Sequence, residues 1–176
     1  MNRLITTSMD QIWPNDDLIF LGEWCKKDEK REKWDKKNNS FLNHHWNDKQ
    51  KLYRDYNYLF NLNDILITDF TQKLNKFHNL NYDERSWRII LGSWLPLYLS
   101  TMFDRWETIR IFFEKYKKNV ETYTFSTNDN IFYNYGVKDF IKKVVESDLW
   151  NHKNFLRIIN FKYKEVTKIE KKNTVF

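Results

Sequence analysis

Three features of this sequence have residue types and spacing suited to chemistry: a carboxylate after an apolar run, a histidine pair before a helix, and arginines around an uncharged stretch. Glu23 follows Gly22 at the end of Asp17 to Leu21 (DLIFL). A carboxylate there suits hydrogen bonding to a ligand or taking a proton; pairing with the nearby lysines is the structural alternative. His44-His45-Trp46-Asn47-Asp48 precedes a long helical pattern. An imidazole titrating near neutrality suits a general base, and helix starts gather anions. Alternatively Trp46 is buried and the Asp48 carboxylate caps the helix. Arg85 and Arg88 lie three apart on one helical face, with Trp87 between them on another. Guanidinium groups beside aromatics suit phosphate or carboxylate recognition, whereas Asp83, Glu84 and Asp104 offer purely structural ion pairs. Asp104-Arg105 interrupts an apolar helix, where an unpaired charge is costly.

These residues give two candidate catalytic groups, Glu23 and His45. Thr6, Thr7, Trp46, Arg85, Arg88 and Arg105 are the candidate substrate contacts. Phosphate-binding loops, dinucleotide fingerprints, nucleophile elbows and zinc-spaced Cys/His sets are absent from the sequence. Cys25 with His44 and His45 is too sparse for a zinc site. Adjacent histidines on a regular element point apart, so no metal site is expected.

The elements that must position these groups follow from pattern. Arg3 to Thr7 (RLITT) and Asp17 to Leu21 read as buried strands, and Glu121 to Phe125 as a third. Ser8 to Trp13 suits a short helix capped by Ser8 with Gln11, and Pro14-Asn15-Asp16 is turn chemistry. Lys49 to Phe77 carries an apolar stripe through Leu52, Tyr56, Leu59, Leu66 and Phe70. Asp83 to Tyr116 reads as one helix capped by Asp83, uncharged from Ile89 to Phe103, mostly buried, and kinked at Pro96. Asp139 to Glu146 and Trp150 to Phe161 are helical. Lys26 to Asn39 is a charged surface segment, and residues from Lys162 form a polar, frayed tail. Early strands and later helices suggest an α/β layer fold, with Thr6, Thr7, Gly22 and Glu23 on one rim at the carboxyl ends of parallel strands.

The 176 residues suffice for one domain with a real core. The formal charge of +6 lies largely in lysine runs mixed with acids, which are solvated faces, so nucleic acid is not an expected partner. A lone Cys25 excludes an internal disulfide and suits a reducing compartment. The segment from Met1 to Asp10 lacks a signal-peptide core, and the uncharged run is too short to span a bilayer. A cytoplasmic location is expected, with contact at the inner face of a membrane left open.

Three blocks make the sequence familiar: LITTSMDQIWPNDDLIFLGEWC, HHWNDKQKLYRDYNYLFNLND and ERSWRIILGSWLPLYLSTMFDRWETI. In this order and spacing, over residues 3 to 115, the chain resembles the amino-terminal part of a family of transferases. These are encoded among bacterial O-antigen and surface-polysaccharide genes. The resemblance implies a Rossmann-like α/β lobe, with a short parallel sheet and long, mostly buried helices, from a two-lobed, glycosyltransferase-like enzyme. It also implies a nucleotide-activated sugar as donor, with no cofactor held in this chain, and a glycan or lipid-linked acceptor. The family's members are longer and the match weakens from Asn119, so residues 1–176 are expected to form the acceptor-side lobe. A second lobe or a further copy would then be its partner, and a non-catalytic partner-binding module derived from such a lobe is the alternative.

Overall fold

Short runs of Leu, Ile and Phe bury both faces only in the middle of a parallel sheet covered on each side. In the computed structural model, which describes residues 2–10, 13, 17–36, 39–116, 120–125 and 129–171, such a sheet forms. Its strands are β1 (Asn2–Ile5), β2 (Leu18–Phe20), β3 (Asn39–Phe41), β4 (Val120–Phe125) and β5 (Thr167–Lys171). All pair in parallel, in the order β3-β2-β1-β4-β5. Leu4 stands opposite Ile19, Arg3 opposite Glu121, and Tyr123 opposite Ile169. The fold is α/β, with the strand order of a doubly wound sheet.

Successive side chains of a strand point to opposite faces, and the core divides accordingly. Leu4, Ile19 and Leu21 pack with Ile109, Phe112, Phe155 and Ile159. Ile5, Leu18 and Phe20 pack with Cys25, Trp13 and Trp34. Each of the buried Leu, Ile and Phe side chains contributes about 1.5–3 kcal/mol on burial. Arg3, at the start of β1, is paired with Glu121 of β4 at 3.1 Å and lies 5.0 Å from the centre of the Tyr123 ring.

Parallel neighbours need crossovers. Among the described residues α1 (Arg31–Trp34) lies between β2 and β3, α2 (Lys49–His78), α3 (Glu84–Leu91) and α4 (Leu95–Tyr116) between β3 and β4, and α5 (Val137–Glu146) and α6 (Asp148–Lys162) between β4 and β5. Two compact units result: the sheet unit, Met1–His45 with Arg105–Phe176, and a helical unit, Trp46–Asp104. In the helical unit Asp48 caps α2 by accepting from the Gln50 and Lys51 N–H groups, and Asp83 caps α3 by accepting from Ser86. Asn79 closes α2 in the left-handed conformation, at φ 53°. Asn75 then exchanges hydrogen bonds with the Tyr82 backbone and accepts from Trp87 Nε1.

The structure departs from the sequence pattern at three places. The stretch from Asp83 to Tyr116 is two helices, broken at Gly92-Ser93-Trp94, and a Cβ on Gly92 would lie 2.4 Å from the Arg88 carbonyl oxygen. Pro96 therefore kinks nothing. It occupies the first turn of α4, where a proline's missing N–H removes no helix bond. Burial is also one-sided there, since Ile89 is 73 % exposed while Trp87 is buried. Lastly, the frayed tail expected from Lys162 gives way to β5, and Asn39–Phe41, not read as a strand, forms β3. The expected Ser8–Gln11 capping box and the turn at Pro14 to Asp16 involve residues outside the described set. Among the described residues no helix is long and apolar enough to cross a membrane.

Candidate active site

In a doubly wound sheet the ligand crevice lies beyond the carboxyl ends of the strands, where the strand order reverses. Here the reversal is at β1, with β2 on one side and β4 on the other. The residues leaving β1 are Thr6, Thr7 and Ser8, all buried. Buried hydroxyls need partners. Thr6 Oγ1 lies 2.6 Å from Nδ1 of His152, and Ser8 donates to Asp148 Oδ2 at 2.6 Å. Thr7 Oγ1 is shut from water and has no hydrogen-bond partner among the described residues.

Helix α6 presents the facing surface. Asp148, Asn151, His152 and Phe155 share one side of it, at three- and four-residue spacing. Trp24, beyond β2, donates from Nε1 to the Thr6 carbonyl at 2.9 Å. Its ring lies parallel to Phe155 with centroids 6.2 Å apart. The close approach requires Gly22, since a Cβ there would meet the Trp24 ring at 2.1 Å. Arg105 donates to Asn151 Oδ1 at 2.9 Å, and its guanidinium stands 5.7 Å from the centre of the Phe155 ring. Burial makes a charged imidazolium expensive at His152, and its pKa falls to about 4. The ring is neutral at pH 7, which fits it to hold Thr6.

The charged segment after β2 reaches the same rim. Lys30 bonds Asp10 and the Ser8 carbonyl, Lys33 bonds Asp10, and Lys27 pairs with Asp148 at 3.2 Å. Burial alone would raise the Asp10 pKa, but the hydrogen bonds from Lys30 and Lys33 bring it down to about 2. Cys25 is no nucleophile. Burial pushes its thiol up to about 12, and Sγ donates to the Ile5 carbonyl.

Against this geometry, the model of the LIC12162 family transferase matches residues 2–175. The chain belongs to the LIC12162 transferase family. No curated protein and no solved structure matches it. The LIC12162 match runs through α5, α6 and β5, past Asn119, so the family pattern extends over the carboxyl-terminal third.

Of the expected substrate contacts, Thr6 meets His152 of α6 and Trp24, Arg105 meets Asn151 and Phe155 of α6, and Thr7 is buried next to Thr6 in the chain. Glu23 is exposed in the turn that carries Trp24. His45 is buried; its ring stacks on His44 at 4.9 Å, and His44 meets the Trp24 ring edge-on at 6.4 Å. The two histidine rings are therefore neighbours and do not point apart, because His44 lies in a loop and His45 opens a short 3-10 turn. Trp46, Arg85 and Arg88 belong to the helical unit. Trp46 donates to Asp55, Arg85 is exposed, and Arg88 bonds Asp64 at 2.6 Å and Glu84 at 3.1 Å. Asp148, Asn151 and His152 escaped the sequence reading. The available signal was a histidine two positions ahead of an Asn-Phe-Leu run (154–156) on a helical pattern.

Proposed function

We propose that this chain is the acceptor-side lobe of a glycosyl-transferring enzyme of bacterial surface-polysaccharide assembly, acting at the inner face of the membrane. The observation that carries the reading is the Thr6-Thr7-Ser8 rim, where the strand order reverses and Thr7 has no hydroxyl partner among the described residues. Membership of a transferase family supplies the reaction class.

In the proposed reaction an acceptor hydroxyl attacks the anomeric carbon of a nucleotide-activated sugar. The new bond is oxygen to anomeric carbon; the bond that breaks joins that carbon to the phosphate oxygen. The electron pair leaves with the nucleoside diphosphate, and the acceptor's proton passes to the Glu23 carboxylate. Glu23 suits this role because it is exposed on the rim. The Arg105 guanidinium binds and orients the acceptor from a rim whose floor is Thr6 and Thr7, and His45 backs the site through His44 and Trp24. The donor nucleotide is held by a second lobe.

Complementation tests this without assuming that the chain acts alone. The gene is deleted from its host and returned as wild type, Glu23→Gln or Thr7→Val, and the surface polysaccharide is resolved by gel. Loss of the general base should cut polymer formation by about 100-fold. Restoration of full polymer by Glu23→Gln would overturn the catalytic assignment. It would favour a partner-binding module, for which the exposed Phe77, Ile65 and Ile89 of the helical unit speak.

A further inference from the structure

The helical unit contains a cavity of about 570 Å³ that none of the site chemistry uses. That volume is within the range of small-molecule pockets. Leu59 and Leu97 form half-buried walls, and Tyr56, Phe60 and Pro96 are exposed where it meets solvent. Its polar side chains are Asn63, Ser93, Ser100 and the phenol of Tyr56. None of its lining residues is an Asp, Glu, Lys, Arg or His, in a chain of which 31 % of residues are charged. Ser100 already donates to the Leu97 carbonyl, whereas Asn63 Oδ1 is closed to water with no partner among the described residues.

We infer that this cavity binds the hydrocarbon chain of a neutral single-chain amphiphile. A nucleotide or sugar would bring charges or many hydroxyls that this lining cannot match. A peptide would bring a row of backbone N–H and carbonyl groups with the same difficulty. A hydrocarbon needs no such partners, and its burial is favourable in proportion to its area. The approach suits it too. Tyr53, Tyr56 and Phe60 stand exposed on one face of α2 at three- and four-residue spacing, and amphipathic aromatics of this kind settle where lipid meets water. The inference stands on the cavity and goes beyond the transferase reading: lipid binding without sugar transfer, or the reverse, would separate the two.

The probe is dodecyl maltoside below its micelle concentration, with maltose as the headgroup control, followed by ligand-observed NMR and calorimetry. Wild-type protein should bind dodecyl maltoside and not maltose. Ser93→Trp, which fills the cavity from its exposed side, should weaken binding by about tenfold or more, the equivalent of about two buried methylenes. Leu97→Trp fills it from the wall, and an unchanged melting transition in either variant secures the comparison. Co-sedimentation with phosphatidylcholine vesicles distinguishes the source. Vesicle binding lost in Ser93→Trp makes the chain a membrane lipid's; binding of the monomer alone makes it a free amphiphile's. Three results overturn the inference. They are equal binding of maltose, undiminished dodecyl maltoside binding by folded Ser93→Trp, and a dimer that Ser93→Trp dissociates with no alkyl binding at all.

Discussion

His152 should make this protein acid-sensitive in a window that no carboxylate explains. Its folded pKa is about 4 against an ordinary value of 6.5, because the ring is buried. The sign follows from proton uptake. Below pH 6.5 the unfolded chain gains a proton at this ring that the folded chain refuses, so each step of acidification favours unfolding. Above pH 6.5 the ring is neutral in both states and contributes no pH dependence. The penalty grows as pH falls from 6.5 to 4 and is then constant at about 3 kcal/mol, of which about 2 kcal/mol accrues between pH 7 and pH 5. Asp10 does not blur this window. Its carboxylate titrates at about 2 when folded and 3.8 otherwise, so its contribution is lost only at lower pH. The measurement is urea unfolding of wild type and His152→Gln at pH 8, 7, 6 and 5. Glutamine keeps hydrogen-bonding groups for Thr6 but does not titrate. The wild type should lose about 2 kcal/mol more than the variant between pH 7 and 5. Equal losses in the two proteins, or a His152 ring resonance titrating near 6.5 in the folded state, would refute the reasoning.

Two further substitutions test the packing around the sites. Gly22→Ala puts a Cβ against the Trp24 ring, which can retreat only by leaving the Thr6 carbonyl and the Phe155 face. The expected loss is about 1–3 kcal/mol in chemical denaturation, with tryptophan emission shifted to the red, and wild-type stability would show that the ring has other room. Arg88→Leu removes exposed ion pairs to Asp64 and Glu84, which solvent screens, so its melting midpoint should stay close to wild type. A sharp fall would mean that α3 depends on those pairs for its seat on α2.

Much of the fold is written locally. The apolar runs at Leu4 and Leu18 are strands because both their faces are buried, and Asp48 and Asp83 cap the helices that their positions suggest. The elements that escaped are those whose stability comes from elsewhere. Asn39–Phe41 and Thr167–Lys171 are the two edges of the sheet, and they read as polar because an edge is half solvated. Thr167–Lys171 is a strand only because five positions pair with β4. The break at Gly92 was hidden by Pro96. A proline inside a helical pattern signals either a kink or a new first turn, and the pattern alone does not choose between them.

The candidate site divides along the same line. Thr6 and Thr7 are legible because small hydroxyl residues ending an apolar strand mark a rim. Their partners are not, since Thr6 meets His152 across 146 positions and Ser8 meets Asp148 across 140. Nor does a polar residue on a buried helical face by itself point to a distant partner. Asn154 is buried on α6 like His152, yet its Nδ2 donates to the Trp150 carbonyl of its own helix. A carboxamide can reach back one turn in this way. The imidazole of His152 instead has Thr6 Oγ1 beside its Nδ1, a group that only the crossover from β4 through α6 brings alongside β1. What singles out His152 is therefore the sheet order, which places α6 over the reversal point, and the sheet order is the property that short, similar apolar strands leave unspecified.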